Sequence, residues 1–183
     1  YRLLDSYSGN KDDNKLKEMV LEIYNFVQST PWPDKWLAEM SQAYDTKDDF
    51  DFLNTEWARI ILEFVNIELK GCLNYLKKAQ RIALEGEGLD KCAEQLFHDI
   101  EYVKSLMYQE GKSWDDLYIS FNSFSFDRQQ QPTKGGDKAS YDILKELRKD
   151  AKEKINKLKT EFFTCSTKIT KEDLDTLHPL IKY

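Results

Sequence analysis

The chain has 183 residues, the size of one domain, and its 40% hydrophobic and 13% aromatic content is enough to fill a core, which excludes a disordered chain despite 33% charged residues. The net charge of −6 is unevenly spread: from Arg128 to Lys159 ten basic residues stand against five acidic ones, a net of +5 that leaves −11 for the rest, so only that stretch welcomes a polyanion. No apolar run approaches the roughly 20 residues of a membrane span, which excludes an integral membrane helix.

Leu16, Val20, Ile23 and Val27 recur at steps of 4, 3 and 4, the mark of a helix with one face in a core, and Pro31 ends it. Pro33 is placed to open a short second helix with Trp36, Leu37 and Met40, ending near Tyr44. From Phe50 to Leu84 no proline occurs. Two apolar stripes run side by side there, one through Leu53, Trp57, Ile60, Phe64 and Ile67 and one through Ile61, Val65, Leu69, Cys72, Leu76, Ala79 and Ala83, predicting a broadly buried helix with its weakest point, and a bend or break, at Gly71. Leu89, Cys92, Leu96, Ile100, Val103 and Met107 predict the next helix, with Gly111 as its C-terminal cap.

Ser113 is the N-cap expected for a short helix through Trp114, Leu117, Tyr118 and Phe121, after which Phe124-Ser125-Phe126 alternates like a short extended piece. Residues 127–137 offer nothing apolar to bury and contain Pro132, Gly135 and Gly136, the composition of a mobile surface loop. A basic amphipathic helix follows, with Leu144, Leu147, Ala151, Ile155, Leu158 and Phe162 on its apolar face and lysines on the other. Thr170-Lys171-Glu172-Asp173 resembles a capping box opening a last helix that breaks off shortly after His178-Pro179. The expected fold is all-α, an irregular bundle of about six or seven helices in one helical subdomain over 1–183.

The chain carries no recognisable catalytic motif. Neither Gly86-Glu87-Gly88 nor Lys134-Gly135-Gly136-Asp137 supplies the Lys-Ser or Lys-Thr that a phosphate loop needs. Asp12, Asp13, Asp48, Asp49, Asp51, Asp115 and Asp116 sit at helix beginnings, where carboxylates complement the helix dipole, and so predict capping and not a metal site. Cys72, Cys92 and Cys165 are odd in number and far apart, without CxxC or Cys/His spacing, which points to reducing cytoplasm and away from disulfides or zinc. His98 and His178 have no nucleophile partner in view. No catalytic and no metal-binding residue is therefore named. Of the four tryptophans, Trp32 between two prolines is the one placed to be exposed, as a stacking or docking aromatic.

The order of several local patterns carries more. Residues 4–9 (Leu-Asp-Ser-Tyr-Ser-Gly), Ser29-Thr30-Pro31-Trp32-Pro33 with Trp36-Leu37 and Tyr44-Asp45, Trp114-Asp115-Asp116-Leu117, Phe126-Asp127-Arg128 and the basic helix leading to Glu161-Phe162-Phe163 together resemble a stretch of the A subunit of the AddAB (RexAB) helicase-nuclease of low-GC Gram-positive bacteria. The resemblance implies a 1B-type helical insertion in the first motor domain of a superfamily 1 helicase, part of an enzyme that unwinds and resects DNA ends in double-strand break repair and recombination. Residues Tyr1 to Asp5, without a starting Met or signal-peptide form, fit an internal segment. It implies that the ATP and magnesium of the parent are bound outside these 183 residues, that the segment holds no cofactor, and that its partners are double-stranded or forked DNA and the B subunit. The isolated segment is expected to be a cytoplasmic monomer. If it meets DNA, Arg128, Lys134, Lys138, Lys145, Lys149 and Lys152 are the candidates, because they belong to the one segment with excess positive charge. The alternative is a protein-interaction module that docks on the B subunit or the motor core without touching DNA.

Overall fold

The computed structural model describes residues 14–46 and 50–182, with no side chains from 180 onward, so the motif at 4–9 and the carboxylates Asp12, Asp13, Asp48 and Asp49 lie outside the described residues. Seven α-helices and one short 3-10 turn account for the regular structure among the described residues, and no strand occurs there; Phe124 to Phe126 is extended but unpaired. The chain divides into two compact units, one comprising Tyr1–Phe50 with Thr167–Tyr183 and the other Asp51–Ser166.

In the first unit, α1 (Asn14–Ser29) and α7 (Thr167–Lys182) both pack on α2 (Pro33–Ala43). Pro33 opens α2 because the first helical residue needs no N–H partner. Phe26 of α1 meets Trp36 of α2 with ring centroids 5.2 Å apart, and Ser41 Oγ lies 3.2 Å from His178 Nε2 of α7. The expected α1 stripe holds at Leu16 and Val27, which are buried, but Val20 is exposed. Helix α7 starts at Thr167, so Thr170 to Asp173 lies inside the helix instead of capping it, and the helix continues through Pro179 to Lys182, giving up the one backbone hydrogen bond that residue cannot donate.

The second unit is built around α3 (Glu56–Glu85), which at about 1.5 Å per residue is roughly 45 Å long. Thr55 caps it by accepting from Ala58 N at 3.1 Å. Helix α3 runs unbroken through Gly71 and packs along α4 (Asp90–Leu106) on one side and α6 (Lys138–Phe162) on the other. Val65, Leu69, Cys72, Leu76, Ala79 and Ala83 form the buried stripe, as their spacing predicts. The neighbouring stripe does not go inside: Ile60, Phe64 and Ile67 are exposed, Ile67 at 64%. Two partner helices cover only part of a helix circumference, so the second apolar row stays at the surface of this unit, with Phe64 at its edge meeting Phe162 of α6 at 5.6 Å.

Helix α4 ends at Leu106 with an extended Met107, and Gly111, at φ +94°, serves a later turn, so it is not the cap of α4. The short α5 (Trp114–Ser123) opens with the expected Ser113 cap, completed as a capping box by Asp116. Its aromatic residues seal one end of the unit: Phe121 stacks on Phe163 at 4.0 Å, Phe163 stacks on Trp114 at 5.1 Å, and the Trp114 indole N–H donates to the Cys165 carbonyl at 3.1 Å.

Candidate nucleic-acid interface

The basic stretch is mostly α6, and its outer faces are sorted by charge. The buried row is Tyr141, Leu144, Arg148, Ala151, Ile155 and Leu158. At 3.6 residues per turn, Lys138, Lys145, Lys149 and Lys152 fall within an arc of about 60° bordering that row, while Asp142, Glu146, Asp150 and Glu153 fall on the far side of the lysines. The lysine row is exposed throughout. Lys149 lies 3.6 Å from Glu146, one turn away, an exposed pair of small worth. Lys154 and Lys157, outside the row, are engaged with Glu68 at 2.7 Å and Glu161 at 3.6 Å. Among the described residues no carboxylate pairs with Lys138, Lys145 or Lys152, which leaves those ammonium groups available to a phosphate.

The apolar face of α6 differs from its sequence pattern at one position. Leu147 is only half-buried, and Arg148 takes the inner place. The guanidinium is tolerated there because Asp99 of α4 meets it in a fork, Nε to Oδ2 at 2.6 Å and Nη2 to Oδ1 at 3.2 Å, with the Phe126 ring 4.8 Å away. Burial pushes the Asp99 carboxyl above its ordinary range, against the pull of Arg148. Two further donor contacts leave the guanidinium for residues of the 127–137 loop: Nη2 to the Asp127 carbonyl at 3.0 Å and Nη1 to Gln129 Oε1 at 3.3 Å.

The loop is irregular, as its composition predicts, but it is fastened along its length. Gln95 of α4, one turn before Asp99 and also buried, donates from Nε2 to the Arg128 carbonyl at 2.8 Å and accepts from Gln130 N at 2.9 Å. Farther on, Thr133 N donates to the Gly88 carbonyl and Asp137 N to the Glu87 carbonyl, each at 2.9 Å. Gly88, at φ +70°, is required there twice over, because a Cβ would also strike Thr133 and close on Gly136. The two glycine clusters that fail as phosphate loops thus meet each other, the second turning the chain back into α6.

Of the six basic candidates, α6 carries Lys138, Lys145, Lys149 and Lys152 in one row. The exposed Arg128 rides on the loop segment fixed to Arg148 and Gln95, and the exposed Lys134 lies in the turn beside Gly88. In the other unit, Trp32 is 73% exposed. The sequence reading misses Gln95, Asp99 and Arg148. The one signal that could have found Arg148 is its register, four residues after Leu144 and three before Ala151. Among the described residues no group of three His, Cys, Asp or Glu side chains could hold a metal ion, and no helix is long and apolar enough to cross a membrane.

No family model matches the chain. Over all of its length it is similar to the A subunit of the ATP-dependent helicase/nuclease of Ruminiclostridium cellulolyticum at 35% identity and to the protein of the same name from Acetivibrio thermocellus at 32%, and over 98% of its length to that of Clostridium kluyveri at 33%. The chain spans about 15% of the length of these relatives. Along its whole length, then, this chain belongs to the family of ATP-dependent helicase/nuclease A subunits, as the counterpart of one segment of them.

Proposed function

We propose that this chain is a helical accessory segment of an ATP-dependent DNA helicase-nuclease that acts in double-strand break repair and recombination in the cytoplasm, and that it borders the path of the DNA without catalysing. In this reading it is the 1B-type insertion of the first motor domain, with ATP and magnesium bound by other parts of the parent polypeptide. Arg128, Lys134, Lys138, Lys145, Lys149 and Lys152 make sequence-independent contacts with backbone phosphates, which suits a motor that must move over any sequence.

The observation that carries the reading is the row of lysines on one exposed arc of α6, with the acidic residues of the same helix sorted to another. Reversing Lys145, Lys149 and Lys152 to Glu in the full-length enzyme is expected to lower DNA affinity and unwinding without unfolding the unit, since all three side chains are exposed. Unchanged unwinding at low and moderate salt would sink it.

The exposed Ile60, Phe64 and Ile67 row favours a second reading, in which the segment docks on the B subunit or the motor core. Such an apolar contact is insensitive to salt, whereas phosphate contacts weaken steeply as salt rises.

A further inference from the structure

We propose that Arg148 is a positioning residue for DNA contact: paired with Asp99, it locks the 126–130 strap so that Arg128 stands at the edge of the α6 lysine row, making one preorganised phosphate-binding edge. This rests on the DNA reading above and goes beyond it, because Arg148 itself is sealed from any ligand.

Gln95, Asp99 and Arg148 are the three buried polar or charged side chains among the described residues; Gln95 and Arg148 hydrogen-bond the strap directly, and Asp99 holds the Arg148 guanidinium that does so. Arg148 holds the carbonyl of Asp127 and the side chain of Gln129; Gln95 holds the carbonyl of Arg128 and the N–H of Gln130. Four consecutive residues are thereby fixed from beneath, by donors and acceptors that are themselves immobilised in the core. The Phe126 ring, also buried, lies against the guanidinium and anchors the near end.

Stability alone is a poor reason for this arrangement, because a buried ion pair of this kind is commonly matched or bettered by apolar residues of the same volume. What the pair supplies is one defined backbone path. That path leaves the Arg128 side chain exposed, between Asp127 and Gln129, which are both bonded to Arg148 of α6, and Arg148 is itself flanked by Lys145 one turn before and Lys152 one turn after. A contact residue held on a fixed backbone loses less conformational entropy on meeting a phosphate than one on a free loop.

The test uses the full-length helicase-nuclease with a forked duplex, measuring binding over a range of salt concentrations. Arg128→Ala is expected to flatten the slope of log K against log salt by about 0.9, the loss of one phosphate contact. The paired replacement Asp99→Leu with Arg148→Met, which keeps the core apolar, is expected to give the same flattening with no fall in melting temperature, and combining it with Arg128→Ala should add nothing. Gln95→Leu leaves the ion pair in place and releases the Arg128 carbonyl and the Gln130 N–H of the same strap, so it is expected to shift the slope in the same direction should the paired variant fold poorly. Full additivity with Arg128→Ala, or an unchanged slope in both the paired and the Gln95 variants, would overturn the proposal. If the lysine reversals weaken binding while Arg128→Ala and the strap variants leave the slope alone, the strap inference fails and the DNA reading stands. If all of them bind as before, the DNA reading has failed and this inference with it.

Discussion

The Arg148 guanidinium and the Asp99 carboxylate meet at 2.6 Å and 3.2 Å with side chains only 7% exposed each, joining α6 to α4 across 49 residues of sequence. Removing either partner strands a charge in the core. Arg148→Ala or Asp99→Ala is therefore expected to cost about 3–5 kcal/mol, while Asp99→Leu with Arg148→Met is expected to leave stability unchanged. Urea unfolding midpoints at unchanged m check both.

Two kinds of carboxyl in this chain have opposite pH signs. Burial raises Asp99, so the folded state keeps its proton to higher pH than the unfolded state does; across that window this group favours folding at the acid end and loses the advantage as pH rises through the folded value. Losing the guanidinium raises it further, and the penalty of Arg148→Ala should shrink as pH falls toward the carboxylate range. Asp116 and Asp137 are lowered instead, by hydrogen bonds from Ser113 and Ser140 at the starts of α5 and α6. Their contribution is present above the ordinary carboxylate range and is lost as pH falls through the lower folded value, so Asp116→Asn and Asp137→Asn are expected to flatten the acid limb of a melting-temperature profile.

The aromatic stack and the exposed row predict a contrast. Phe121→Ala empties a fully buried site against Phe163 and is expected to cost about 3–5 kcal/mol. Ile67→Ala, on an exposed position of α3, is expected to stay within about 0.5 kcal/mol. A cost for Ile67→Ala comparable to that of Phe121→Ala would show that the second stripe of α3 is buried after all.

Thiol chemistry reads the core directly. Burial pushes the Cys72 thiol up to about 11 and raises Cys92 as well, whereas Cys165 is half-buried beside the end of α6. Iodoacetamide at a pH of about 8, near the ordinary thiol range, is expected to label Cys165 first and the other two only on unfolding, as followed by mass spectrometry.

Two glycines share a left-handed backbone but differ in surroundings. Gly111→Ala meets nothing within 4 Å and should cost about 1–2 kcal/mol in backbone strain alone. Gly88→Ala also strikes Thr133 and Gly136, and is expected to cost more and to speed amide exchange at Thr133 and Asp137, whose N–H groups bond beside it.

Much of the fold was legible because it is written in local terms. Helix periodicity located α1 through α6, Pro33 and Ser113 marked two of the starts, and the buried row of α3 from Val65 to Ala83 could be read off directly. Boundaries were less legible: Gly111 lies beyond the end of α4 and Thr170 inside α7, since a capping residue type permits a helix end without forcing one. The exposed candidates Lys138, Lys145, Lys149 and Lys152 were legible as a basic face for the same reason, a spacing within one helix.

What the sequence determined by itself is thus the helical class, the charge asymmetry and the family likeness, all properties of residues a few positions apart or of their order along the chain. Only the tertiary structure decided that Ile60, Phe64 and Ile67 stay outside, that Arg148 displaces Leu147 from the inner row of α6, and that the loop at 127–137 is fastened down. Each of these depends on a partner far away in sequence. A second apolar stripe is buried only if a third helix arrives to cover it, and an arginine can face a core only if an aspartate 49 residues earlier is brought within hydrogen-bonding reach.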